Sequence, residues 1–248
     1  VIDDEGLHSV YKRQLDAQLG NCIFEQIYFA RPDSIMEGSL VYASRQQMGA
    51  ELAREHPVDA DLVIGIPDSS TAAAVGYAKE SGIPYSDGLI KNRYVGRTFI
   101  EPEQRLRDIG VRQKFNPLSE VIAGQRLVVV DDSIVRGTTT PHVVSLLRKA
   151  GAKEIHMRVC APPIKYPCYM GVDMASQDEL VAANKDLAGI KQMTGADTLG
   201  YLSVNGLLKV VGGQSGGFCD ACFTGNYPVP VQLQLSKLAL ETTDTASS

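Results

Sequence analysis

Apolar residues in this chain fall into two kinds of run. Across residues 40–56, Val41, Met48 and Leu52 recur at helical spacing until Pro57 stops the pattern. Leu62, Val63, Ile64 and Ile66 instead form a short apolar stretch without alternation, followed by the polar turn Asp68-Ser69-Ser70 and an alanine-rich segment, 71–81, that ends at Gly82. This predicts a buried strand, a turn and a helix. The rhythm returns as an apolar strand from Leu127 to Val130, a loop over 131–137, a helix over 140–150 with Pro141 near its start and Gly151 past its end, and a strand over 155–160. Strands that do not alternate, separated by helices, predict an α/β fold whose parallel sheet is flanked by helices on both faces. Residues 22–30 alternate well enough to predict a further strand, which ends at Arg31-Pro32-Asp33.

Composition adds that this is an ordinary globular chain with a real core: 248 residues, 44% hydrophobic and 21% charged. The net charge of -5 argues against wrapping nucleic acid or lying on anionic lipid, both of which need a broad basic surface. Nothing approaches the roughly 18 consecutive apolar residues of a membrane helix. The start, Val1-Ile2-Asp3-Asp4-Glu5, lacks a basic segment followed by an apolar one, so a cytoplasmic location is expected. Beginning on Val in an acidic segment, the chain suggests processing or a piece of something longer. The charge is uneven, however. Residues 91–118 carry seven basic residues (Lys91, Arg93, Arg97, Arg105, Arg107, Arg112, Lys114) against three acidic ones, so any basic site is local to this segment.

The candidate chemistry sits where the second apolar strand ends, in Val128-Val129-Val130-Asp131-Asp132-Ser133-Ile134-Val135-Arg136-Gly137-Thr138-Thr139-Thr140. An apolar strand here delivers two adjacent carboxylates to the carboxyl edge of the sheet, where open α/β folds bind ligands. A hydroxyl-rich loop with Gly137 then runs into a helix start, whose free N–H groups suit a phosphate monoester. Carboxylates that accept from a sugar diol, beside a phosphate cradle, describe a ribose 5-phosphate site. No Gly-Lys-Ser or Gly-Lys-Thr occurs, so this is not a Walker loop.

These thirteen residues resemble the phosphoribosylpyrophosphate signature of the type I phosphoribosyltransferases. Three further segments are similar to those of one family within that class, the glutamine phosphoribosylpyrophosphate amidotransferases: 28–34 (Tyr-Phe-Ala-Arg-Pro-Asp-Ser), 64–70 (Ile-Gly-Ile-Pro-Asp-Ser-Ser) and 91–100 (Lys-Asn-Arg-Tyr-Val-Gly-Arg-Thr-Phe-Ile). The resemblance covers the chain from Cys22 to about Pro228. It implies transfer of glutamine-derived ammonia to phosphoribosylpyrophosphate, giving phosphoribosylamine and pyrophosphate at the first step of purine biosynthesis. It makes Asp131 and Asp132 the carboxylates for the ribose hydroxyls and magnesium, and Ser133, Ile134, Val135, Arg136, Gly137, Thr138 and Thr139 the 5-phosphate loop. It puts Ser69 at a magnesium and pyrophosphate contact, and Lys91, Tyr94, Arg97 and Lys114 on a loop that closes over substrate. The reaction fits such a site. Departure of pyrophosphate leaves positive charge on the sugar and negative charge on the leaving group, and ammonia needs no histidine base. The four histidines His8, His56, His142 and His156 are scattered and show no ligand spacing.

Five cysteines, Cys22, Cys160, Cys168, Cys219 and Cys222, are too few and too odd in number for a disulfide framework, so free thiols or metal ligands are expected. One branch of the family carries a 4Fe-4S cluster, and its ligand pattern resembles Cys22, Cys168, Cys219 and Cys222. Zinc or no metal are the alternatives, and Cys160 is left as a strand residue facing the core. The resemblance further implies four parts: residues 1–30 as the end of an N-terminal glutaminase domain, 31–160 as the phosphoribosyltransferase core, 161–230 as a hood and cluster-binding segment, and 231–248 as a tail. The glutaminase itself, which begins on a catalytic cysteine, has no counterpart before Cys22. Purine nucleotide inhibitors and a homo-oligomer are expected from the family. Two other readings stay open: a non-catalytic domain that senses phosphoribosylpyrophosphate, and a base-salvage phosphoribosyltransferase.

Overall fold

The structure is a computed structural model and describes residues 1–9, 20–92, 94, 114–174, 176–212 and 217–231. Its centre is a four-stranded parallel sheet of β1 (Leu62–Gly65), β4 (Arg126–Asp131), β5 (Glu154–Val159) and β6 (Thr198–Tyr201), in the order β6-β5-β4-β1. Leu127, Val128, Val129 and Val130 are all fully buried, which is why this strand shows no alternation. Successive residues serve opposite faces. Val63, Val128 and Val130 pack with Met48, Leu52 and Tyr77, whereas Ile64, Leu127 and Val129 pack with Val143, Val144 and Leu147.

On the first face lie α1 (Val41–Glu55) and α2 (Thr71–Ser81). They cross with almost no space between their backbones. A Cβ on Gly49 would lie 1.8 Å from the Ala73 carbonyl oxygen, and one on Gly76 would lie 1.9 Å from that of Gln46. The opposite face is covered by α3 (Thr139–Lys149), and α4 (Leu187–Thr194) and α5 (Val204–Val210) flank the far edge of the sheet and α1. The predicted helices and strands of the core therefore stand within a residue or so of their expected bounds. Gly82, at φ 75°, closes α2 as a left-handed cap.

Chain order fixes where a ligand can bind. After β1 and α2 the chain passes Tyr85, which bridges Val63 on one side of β1, and then returns as β4 on the other side. The crevice at such a reversal opens at the carboxyl ends of β1 and β4, where residues 66–70 and 131–138 lie. Between these strands a short antiparallel ribbon, β2 (Leu89–Lys91) with β3 (Phe115–Pro117), pairs Lys91 with Phe115. The Asn92 amide donates to the Lys114 carbonyl at 2.8 Å. Both ends of the basic segment are thus tied together beside the crevice.

The expected strand over residues 22–30 is absent. Only Asn21–Cys22 is extended, pairing in parallel with Phe218–Cys219, and Glu25–Phe29 forms one wide helical turn. Ile23, Phe24, Gln26 and Ile27 are the buried residues of this stretch, an i, i+1, i+3, i+4 set that follows helical rather than alternating geometry. Arg45 of α1 holds the turn in place: its guanidinium donates to the carbonyls of Gln26 (3.0 Å), Glu25 (3.4 Å) and Ala30 (2.9 Å).

Candidate active site

Asp131 ends β4 and Asp132 follows it, and both side chains are buried. The Asp132 amide donates to Asp131 Oδ1 at 2.9 Å, and the Ser70 hydroxyl reaches the same oxygen at 3.4 Å. Ser69 and Ser133 donate their hydroxyls to the two oxygens of Asp132, at 2.5 and 2.6 Å. Burial pushes the Asp131 carboxyl well above the ordinary carboxylate range, and the Asp132 charge adds to it. Asp132 is raised by burial too, against the pull of Ser133, Ser69, Arg45 and Lys114. Such a pair gains from a ligand that brings hydroxyl donors or positive charge.

Positive groups stand opposite. Lys91 donates to Asp68 at 2.7 Å across the mouth of the crevice. Lys114 is half-buried: burial and the neighbouring Lys91 lower its pKa, while Asp131, Asp132 and Asp68 draw it up. The loop between Asp132 and α3 is anchored from beneath by buried Ile134, which packs with Val159, Val181, Ile190 and Tyr201. The Val181 amide donates to the Val135 carbonyl at 3.0 Å. Gly137 has φ 71°, a conformation that calls for glycine, and the nearest atom to a Cβ there would be Cε of the flexible Met193 side chain, at 2.5 Å. Arg136 is turned to Glu179, 2.7 Å away. Thr138 is exposed at the cap of α3 and Thr139 opens the helix, leaving its first N–H groups directed at the loop.

The structure thus gathers Ser69, Lys91, Lys114, Asp131, Asp132 and the loop 133–139 at one crevice. Tyr94 is fully exposed, its amide bonded to the Asn92 side chain. Arg97 lies outside the described residues. Ser70, Asp68 and Arg45 were not expected at the site. Arg45 had left a trace in the sequence, since it shares the apolar stripe of Val41, Met48 and Leu52, where an arginine needs buried partners.

A second constellation lies away from the crevice. Cys22, Cys168, Cys219 and Cys222 line one cavity of about 580 Å³, with Phe24, Phe29 and Tyr227 among its walls. Cys22 and Cys219 are register partners. Burial raises the Cys222 thiol, and the charges of Cys22, Cys219 and Cys168 raise it further. Burial also raises Cys22, opposed by hydrogen bonds from the amides of Phe24 and Glu25, and the Met170 amide donates to Cys168 Sγ at 3.4 Å. Among the described residues, no three His, Cys, Asp or Glu side chains form a group that could hold a metal ion as they stand. Cys160 sits apart, buried just past β5, with its thiol raised by burial and by Asp132 and Asp131.

The model of the phosphoribosyl transferase domain matches residues 43–167, half of the chain, and spans the whole crevice. The chain belongs to this family. Its fold is that of a type I phosphoribosyltransferase. Among relatives of this phosphoribosyl transferase, the amidophosphoribosyltransferase of Archaeoglobus fulgidus is 57% identical over 212 residues, covering 85% of this chain and 46% of that protein. That of Synechococcus elongatus is 51% identical over 223 residues, covering 89% and 45%. A solved structure of the glutamine phosphoribosylpyrophosphate amidotransferase from B. subtilis, complexed with ADP and GMP, superposes with a TM-score of 0.84 at 49% identity and covers 95% of this chain and 52% of that one. The chain therefore spans about half the length of the relatives it matches. Among the described residues no helix is long and apolar enough to cross a membrane.

Proposed function

We propose that this chain is the transferase portion of an amidophosphoribosyltransferase, which joins ammonia to phosphoribosylpyrophosphate. The observation that carries the reading is the pair Asp131–Asp132, held by Ser69, Ser70 and Ser133 between a helix start and two lysines. The pair accepts hydrogen bonds from the ribose 2- and 3-hydroxyls, and the loop 133–139 takes the 5-phosphate on its backbone N–H groups. Lys91 and Lys114 face the pyrophosphate, and Tyr94 and Arg97 of the basic loop are assigned to the same leaving group. Ammonia's lone pair forms the new bond to the anomeric carbon while the bond to pyrophosphate breaks, its electron pair leaving with the pyrophosphate; the nitrogen then loses a proton to solvent. The oxygen donors of Ser69, Asp131 and Asp132 suit magnesium, which supplies charge neutralisation for the leaving group when bound.

In this reading residues 1–30 are the last elements of a glutaminase portion that delivers the ammonia in the whole enzyme, 31–160 the transferase core, 161–230 the hood and cluster segment and 231–248 a tail. The ADP and GMP of the B. subtilis complex support purine nucleotides as inhibitors of a cytoplasmic homo-oligomer in purine biosynthesis. The four converging thiols are read as ligands of a 4Fe-4S cluster. Four sulfurs around one zinc must all lie about 2.3 Å from it, whereas in a four-iron cluster the thiolates bind separate irons and stand farther apart. A shared cavity and N–H donors to the sulfurs of Cys22 and Cys168 support this reading.

Calorimetric titration of phosphoribosylpyrophosphate with magnesium tests the site. Replacing both Asp131 and Asp132 with Ala removes charge-assisted bonds worth roughly 1.5–3 kcal/mol each, so affinity falls by about a hundredfold or more. Unchanged affinity in the double variant rejects the assignment.

A further inference from the structure

Tyr201 ends β6, two strands away from Asp131. Both residues are register partners of the same residue, Val159 of β5. In a parallel sheet such partners project to the same face, and two strand spacings put their Cα atoms roughly 10 Å apart. A tyrosine side chain is long enough to span most of that gap over a valine. Tyr201 does lie on Val159, in the apolar cluster with Ile134 and Ile190 that supports the 5-phosphate loop.

What sets Tyr201 apart is its hydroxyl. The residue is 7% exposed, and its oxygen is buried without a hydrogen-bond partner. A buried phenol that only fills space would be replaced by phenylalanine at no loss, since an unpaired hydroxyl costs stability rather than adding to it. On the carboxylate side, the bonds from Ser70 and the Asp132 amide both fall on Asp131 Oδ1. The phenol is close enough to Asp131 for that carboxylate's charge, after burial, to raise its pKa.

We propose that Tyr201 is a positioning residue for Asp131: its hydroxyl, buried across Val159 from that carboxylate, donates a hydrogen bond to it when the carboxylate takes up the ribose hydroxyls. The inference rests on the reading of Asp131 as a ribose carboxylate. It extends the site to the edge strand of the sheet and makes β6 part of the grip on the sugar. The ring of Tyr201 is held by its apolar neighbours Val159, Ile134 and Ile190, so its hydroxyl stays on the Asp131 side of β6.

The test is Tyr201→Phe, which removes one oxygen and keeps the ring. Binding of phosphoribosylpyrophosphate and of ribose 5-phosphate, both with magnesium, is expected to weaken about ten- to a hundredfold, the range for a bond to a charged group. Inorganic phosphate, which engages the loop and not the diol carboxylates, is expected to bind both proteins equally. KM for phosphoribosylpyrophosphate should rise while kcat holds. The melting temperature should stay the same or rise, because the variant sheds an unpaired buried hydroxyl. Equal sugar-phosphate binding by variant and wild type overturns this inference alone, as does a loss that extends equally to inorganic phosphate, which would mark a merely structural role. Failure of the wild type to bind either sugar phosphate overturns the ribose site and this inference with it.

Discussion

Two carboxylates side by side in a buried crevice repel, and Asp131 and Asp132 tolerate this because donors surround them. Three serines, one amide and the nearby Lys114 and Arg45 offset part of the burial. The pair itself was legible from sequence, because adjacent aspartates at the end of a fully apolar strand have one place to go. Ser70 and Tyr201 were not, and Arg45 showed only as a charge on an apolar stripe, since each reaches the site through a different element and only the packed sheet brings them together. A different carboxylate shows the opposite balance. Asp61, before β1, accepts from both the Arg126 side chain and its amide, and these bonds depress its pKa from 3.8 to about 2. A depressed carboxylate stabilises the fold above its unfolded-chain value, and that stability is lost as pH falls through the folded one. Asp61→Asn should therefore lower the melting temperature at neutral pH, with the gap from wild type closing as pH falls from 3.8 toward about 2. A gap that stays constant over that window contradicts the clamp.

Among the elements, the helices and strands of the core were predictable from period alone, but the way α1 meets α2 was not. Gly49 and Gly76 look like weak points in two helices, and by propensity alone alanine would improve each by about 1 kcal/mol. Contact reverses the sign. A Cβ 1.8 Å from the Ala73 carbonyl oxygen forces two backbones apart, and overpacking of this kind costs about 1–3 kcal/mol or more. Gly49→Ala is expected to be net destabilising in urea unfolding, and a stabilised variant would contradict the close crossing. The segment from Cys22 to Ala30 misled for a related reason. Its apolar residues occupy nearly every position, so alternation and helical spacing both fit until Arg45 and the core select the turn. The cysteine cavity, built by that turn and by residues 168, 219 and 222, carries its own expectation. Protein purified anaerobically should contain about four irons per chain. Cys22→Ser and Cys219→Ser should lose iron while Cys160→Ser keeps it, and a colourless zinc protein contradicts the cluster.

At the scale of the whole molecule, the chain spans about half of its amidophosphoribosyltransferase relatives, and the described residues on which the proposed transferase chemistry rests meet at one crevice. The sheet reverses beside β1, the carboxylate pair ends β4, and the ribbon of β2 and β3 ties Lys91 and Lys114 to the same crevice. Hydrolysis of glutamine needs an activated nucleophile and an oxyanion site, a task that the proposed reading gives to a glutaminase portion. The most direct measurement follows phosphoribosylamine and pyrophosphate formation by this chain, from phosphoribosylpyrophosphate and magnesium, with ammonium chloride and with glutamine as separate nitrogen donors. Turnover is expected with ammonium chloride, at a rate that climbs with pH as ammonium gives up its proton, and none with glutamine. Substrate that binds normally but yields no product with ammonia at any pH would contradict this expectation and leave a domain that only senses phosphoribosylpyrophosphate.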